Sequence, residues 1–87
     1  MPYYYVYMIL SKINNRYVSY VGYSTDIKKR LSLHNSSKGA KFTRGKFWKL
    51  IYSKKYQTKS LALKKEYDLK NDRKKRNDIK NKFINKL

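Results

Sequence analysis

From Tyr3 to Leu10 the chain is apolar or aromatic with no regular alternation, the pattern of a strand covered on both faces in the middle of a sheet. Ser11 to Arg16 interrupts that run. Asn14-Asn15 suits the positive-φ conformations of a tight turn, so Tyr17 to Gly22 is expected to return antiparallel as the second strand of a hairpin. A two-residue turn at the asparagines makes positions 7 and 20 diagonal neighbours on one face, setting Tyr7 beside Tyr20. Ser24, Thr25 and Asp26 are N-cap and first-turn residues, and they predict a helix running to about Asn35. Its apolar stripe is Ile27 and Leu31. At about 100° per residue, Arg30 and His34 flank that stripe and face inward, whereas Lys28, Lys29 and Ser32 point away.

Ser36 to Arg44 is polar and basic with one glycine, and reads as a flexible loop. Trp48 to Tyr56 reads as a third strand. Thr58 or Ser60 can cap a second long helix beginning near Leu61, whose face centred on Ala62 carries Leu63, Glu66 and Leu69; Asp68 and Asp72 fall on the opposite side. Beyond Asp72 the charge density rises, yet Ile79, Phe83 and Leu87 recur every four residues, which predicts a third helix packing back on the rest. There is no internal repeat and no dividing linker. The expectation is therefore one α+β unit over residues 1–87, of element order β-β-α-β-α-α, with a basic C-terminal helix over about 72–87.

Composition adds constraints. Eighty-seven residues allow only a modest core, and ten tyrosines, three phenylalanines and Trp48 supply much of it. The chain has no cysteine, which excludes disulfides and thiolate metal sites. The apolar run Tyr3 to Leu10 is too short to span a bilayer and lacks the flanks of a signal peptide, so a cytoplasmic location is expected. Twenty-three Lys and Arg against five Asp and Glu give a formal net charge of +18, which points to a polyanion, foremost nucleic acid. The abundance of Lys, Asn, Ile and Tyr suggests that AT-rich coding has inflated the lysine count. The few arginines and the single glutamate, Glu66, are then the more informative charges.

A carboxylate on the inward face of a helix must be paired, protonated or bound to a cation. For Glu66 the alternatives are a salt bridge and a magnesium ligand, since Mg²⁺ is often held by one or two carboxylates plus substrate phosphates and water. Arg30 offers a planar fork that matches phosphate in a way lysine does not. His34, one turn away, is suited to donating or accepting a proton or to binding the phosphate. Tyr7 or Tyr20 could act as a general base where neighbouring positive charge or metal-bound water favoured the phenolate. One histidine and no cysteine exclude the usual zinc sets. No P-loop, dinucleotide fingerprint or nucleophile elbow is present.

Tyr5-Val6-Tyr7 followed by Tyr20-Val21-Gly22 resembles the pair of tripeptides that names the GIY-YIG nuclease superfamily. The stretches GYSTDIKKRLSLHNSSKGAKFTRG and WKLIYSKKYQTKSLALKKEYDLK are similar to its short standalone bacterial branch, so that the likeness spans roughly Tyr3 to Lys70. The resemblance implies a small three-stranded antiparallel sheet flanked by helices and a single Mg²⁺ or Mn²⁺ ion used to hydrolyse DNA phosphodiesters. It further implies catalytic roles for Tyr7 and Tyr20, a phosphate-binding role for Arg30, a site role for His34, and metal ligation by Glu66. Tyr5 stands where the family name has glycine. Tyr23 stands where some members have lysine, which leaves Lys41 or another residue to take that place; Asn71, Asn77 and Asn81 compete for the asparagine that often follows the catalytic helix. Lys28, Lys29, Lys38, Lys41, Arg44 and Lys46 are the cations expected to meet nucleic acid. A metal-dependent endonuclease whose DNA is selected by structure, or by a partner protein that supplies the target, is the leading reading. A non-catalytic basic DNA-binding protein or structure-recognising adaptor is the alternative.

Overall fold

The computed structural model describes residues 3–87. Strand β1 (Tyr4–Ile13) and strand β2 (Arg16–Ser24) form the hairpin, closed by Asn14 and Asn15 at φ 49° and 66°, values for which asparagine is among the better-suited residues. Strand β1 continues through Ser11 to Ile13 rather than breaking at Ser11, because Ser11 to Ile13 still pair with Arg16 to Val18 across that turn. The third strand, β3 (Lys49–Tyr56), pairs antiparallel with the other side of β1. The sheet order is β2-β1-β3, so β1 is central and Val6 to Ser11 are buried without interruption. Ile51 is an extra residue between the Met8–Tyr52 and Ile9–Leu50 pairs.

Helix α1 (Ile27–Asn35) covers one face of the sheet, where Ile27 and Leu31 pack with Tyr7, Ile9, Val18, Tyr20 and Trp48. Asp26 caps it by accepting from the Lys29 N–H at 3.1 Å. Helix α2 (Lys59–Lys70) covers the other face, with Ala62 and Leu69 against Val6, Met8 and Val21. Thr58 caps it; Ser60 lies inside the helix. Leu63, expected on the buried face, is 40% exposed, because α2 turns only a narrow stripe of Ala62, Glu66 and Leu69 toward the sheet. Helix α3 (Arg73–Ile84) reaches the same core through Ile79. Leu87 follows the helix and is exposed, so the four-residue repeat of apolar positions ends at Phe83. No helix among the described residues is long and apolar enough to cross a membrane.

Candidate active site

The pleat of β1 sends Tyr7 to the α1 face, between the sheet and the helix. In the hairpin register Tyr7 lies opposite Gly22 and Tyr20 opposite Ile9, the diagonal relation expected from the two-residue turn. The end of the Tyr7 ring occupies the space that a side chain at position 22 would need, which gives the glycine of Tyr20-Val21-Gly22 a steric reason. Helix α1 brings His34 beneath both tyrosines, fully buried. Its Nε2 is 2.8 Å from the Tyr7 hydroxyl, and the Tyr20 ring meets it edge-on at 5.3 Å.

The other imidazole nitrogen, Nδ1, is 2.8 Å from Thr43 Oγ1. Thr43 sits in a short 3-10 turn over Lys41–Thr43, inside the segment read from sequence as a flexible loop. That segment is ordered by long-range bonds. Asn35 grips the Trp48 backbone from both sides, its amide donating to Trp48 O at 3.1 Å and its Oδ1 accepting from Trp48 N–H. The Trp48 indole donates to Thr43 O at 3.0 Å, and Phe42 stacks on Tyr20. Gly39 approaches the His34 ring closely, leaving no room for a side chain.

Arg30, half-buried, completes the group. Among the described residues its buried Nε has no hydrogen-bond partner, an orphan donor of the kind an anion satisfies. Burial pushes the Tyr7 phenol above its usual range, and the Arg30 guanidinium opposes that rise. Burial, reinforced by the Arg30 charge, holds His34 below the ordinary imidazole value, so the buried ring is neutral at pH 7. A neutral ring donates through one nitrogen and accepts through the other.

Tyr7, Tyr20, Arg30 and His34 are thus brought together. Glu66 arrives from α2, on the opposite side of the sheet, and its charge acts on Tyr7 by raising the phenol pKa. Its side chain is 19% exposed and pairs with Lys70 at 3.5 Å. Lys28, Lys29, Lys38, Lys41 and Arg44 are exposed on α1 and on the loop after it. Lys46 is engaged otherwise, donating to Phe42 O at 2.8 Å and covering the Phe42 ring. Tyr23 lies on the other face, stacked on Tyr4, and Asn71 caps α2 with its amide on Tyr67 O. Two functional candidates, Thr43 and Asn35, escaped the sequence reading. The one signal for them was Phe42, an aromatic residue in a basic segment that implies packing.

A three-stranded α+β fold holding two tyrosines, a histidine and an arginine in this arrangement defines a class, and comparison with known proteins gives it a name. The GIY-YIG catalytic domain matches residues 3–81, and the chain belongs to that family, a nuclease superfamily whose members act on DNA and generally depend on a divalent metal. Within it the chain is similar to UPF0213 protein SSP2268 of Staphylococcus saprophyticus, with 39% identity over 80% of this chain and 83% of that protein. It is also similar to a UPF0213 protein of Streptococcus pneumoniae, with 50% identity over 66% of this chain and 57% of that protein. The solution structure of UPF0213 protein BH0048 from Bacillus halodurans matches at 35% identity and a TM-score of 0.48, over 88% of this chain and 81% of that one.

The residues present fit a divalent ion of restricted kind. Among the described residues no group of three or more His, Cys, Asp or Glu is placed to share an ion. A hard cation that draws most of its ligands from water and phosphate requires only one or two carboxylates, and Glu66, 19% exposed and paired with Lys70, is the carboxylate whose chemistry suits that demand.

Proposed function

We propose that this protein is an endonuclease that hydrolyses DNA phosphodiester bonds at the Tyr7, Arg30, His34 site, with Tyr7 as the base that accepts the proton of the attacking water. The observation that carries the reading is the bond between the Tyr7 hydroxyl and His34 Nε2, beside an arginine whose buried Nε has no partner among the described residues.

Arg30 binds a non-bridging oxygen of the scissile phosphate and offsets the negative charge that grows on it during attack. A free phenolate is disfavoured at Tyr7, because burial raises its pKa. The phenol can still act as a base by passing its own proton to His34 Nε2 as it takes one from water. The water oxygen then forms the new P–O bond, the bond to the leaving alkoxide breaks, and solvent returns a proton to that alkoxide. Tyr20 packs edge-on against His34 and holds the ring in place. Glu66 would hold Mg²⁺ or Mn²⁺, one ion, which when bound supplies Lewis-acid stabilisation to the phosphate. Exposed Lys28, Lys29, Lys38, Lys41 and Arg44 bind the flanking backbone. So small a domain has few elements that read base edges, and this favours selection of DNA by shape, at branches, flaps or single-stranded junctions, or through a protein partner.

The Glu66–Lys70 pair favours a second reading, a non-catalytic adaptor that recognises DNA structure. Cleavage of linear, flapped, branched and single-stranded DNA with Mg²⁺ or Mn²⁺ separates the two, comparing the wild type with Glu66→Ala at matched binding. Metal-dependent cutting lost in the variant is expected. Tight binding with no cutting of any substrate would sink the nuclease reading in favour of the adaptor.

A further inference from the structure

We propose that Thr43 is a positioning residue that fixes the Nδ1–H tautomer of His34, leaving Nε2 as the acceptor for the Tyr7 proton. Thr43 Oγ1 lies 2.7 Å from the carbonyl oxygen of Ala40. Two oxygens at that distance need a hydrogen between them, and a carbonyl has none, so the threonine hydroxyl supplies it. That hydroxyl has a single hydrogen. Toward His34 Nδ1, at 2.8 Å, Thr43 can therefore act only as an acceptor, and Nδ1 carries the proton. The neutral ring then presents a lone pair at Nε2, and the 2.8 Å contact with Tyr7 runs from the phenol to the imidazole.

The reverse tautomer would place Nε2–H against the Tyr7 oxygen and block the transfer. Thr43 is held in turn by its own N–H on Ala40 O at 3.0 Å and by the Trp48 indole on its carbonyl. The loop bearing Lys38, Lys41 and Arg44 thus also sets the protonation pattern of the base. The Nδ1–H assignment stands on geometry and the bare Nε2 on the neutrality of the buried ring; the catalytic consequence rests on the nuclease reading above.

His34 is the only histidine in the chain, so the nitrogen resonances of a single imidazole report the tautomer of the full-length protein without DNA or metal. Wild type and Thr43→Ser are expected to show a protonated Nδ1 and a bare Nε2. Thr43→Val, which keeps the shape and removes the acceptor, is expected to shift toward Nε2–H. On DNA, Thr43→Val should then lose about 10- to 100-fold in cleavage rate at unchanged affinity, the scale known for partners that fix the tautomer of metal-bound histidines, with Thr43→Ser restoring most of it. A wild-type ring protonated at Nε2 would overturn the proposal, whether or not Thr43→Val folds. So would a folded Thr43→Val variant with wild-type tautomer and rate. Absence of cutting by a wild type that shows the Nδ1–H tautomer would defeat the nuclease reading and leave the tautomer assignment standing.

Discussion

Tyr7 and Tyr20 have the same chemistry and different partners. The Tyr7 hydroxyl bonds to His34, whereas the Tyr20 ring packs on the same imidazole by its edge. Tyr7→Phe is therefore expected to lower the cleavage rate by about 10²- to 10⁴-fold, the range for losing a general base, and Tyr20→Phe by far less. Single-turnover rates at saturating DNA would show this, and equal losses in the two variants would remove Tyr7 from the role of base. His34 makes a separate prediction in the protein without substrate. Its neighbours are Arg30 on its own helix, Tyr7 and Tyr20 from the hairpin, and Thr43 from the loop, and burial with the Arg30 charge lowers its pKa. Below about pH 6.5 the unfolded chain takes up a proton that the folded protein refuses. The stabilising contribution is thus complete above that pH and is lost as pH falls toward the lowered folded value. Urea midpoints should fall between pH 7.5 and pH 5 more steeply for wild type than for His34→Gln; parallel profiles would contradict the assignment.

At the scale of elements, the site depends on a clasp as much as on a helix. Helix α1 is short, and its cap at Asp26 and stripe of Ile27 and Leu31 place Arg30 and His34 toward the sheet, as local pattern alone predicts. The loop after it was legible only in part. Its polar, basic composition reads as mobile chain, yet Asn35 joins its two ends through both bonds to Trp48. Removing that amide leaves the Trp48 N–H and carbonyl without their partner. Asn35→Ala should consequently cost about 1–3 kcal/mol by denaturant titration and loosen the loop. Faster amide hydrogen exchange from Ser36 to Phe47 would report the loosening, and unchanged exchange would show that Phe42 and Trp48 packing alone orders the segment.

For the molecule as a whole, charge acts independently of catalysis. A net charge of +18 on 87 residues drives binding to any polyanion, and each phosphate contact adds roughly −0.9 to the slope of log affinity against log salt. If Lys28, Lys29, Lys38, Lys41 and Arg44 all meet phosphate, the slope should be about −4 to −5. Measured by anisotropy for wild type and Glu66→Ala alike, an affinity insensitive to salt would rule out the basic surface as the DNA site. Glu66 shows the limit of reading a helix by itself. Its inward sector was visible in the spacing with Ala62 and Leu69, but the same spacing placed Leu63 inside, and only the narrow contact of α2 with the sheet excluded it.

The sequence by itself determined what depends on neighbours along the chain. Asn14-Asn15 set the hairpin register and so the diagonal of Tyr7 and Tyr20, Asp26 set the start of α1, and helical spacing set the inward turn of Arg30 and His34. The unbroken apolar run of β1 identified the central strand. Tertiary structure alone decided that Glu66 comes from the opposite side of the sheet, that Lys46 is tied to Phe42, and that Thr43 meets His34. It also decided which imidazole nitrogen holds the proton. The physical reason is range. Periodicity and capping are written in residues three or four apart, whereas a tautomer follows from an oxygen nine residues away whose position depends on an asparagine gripping a tryptophan across a thirteen-residue separation.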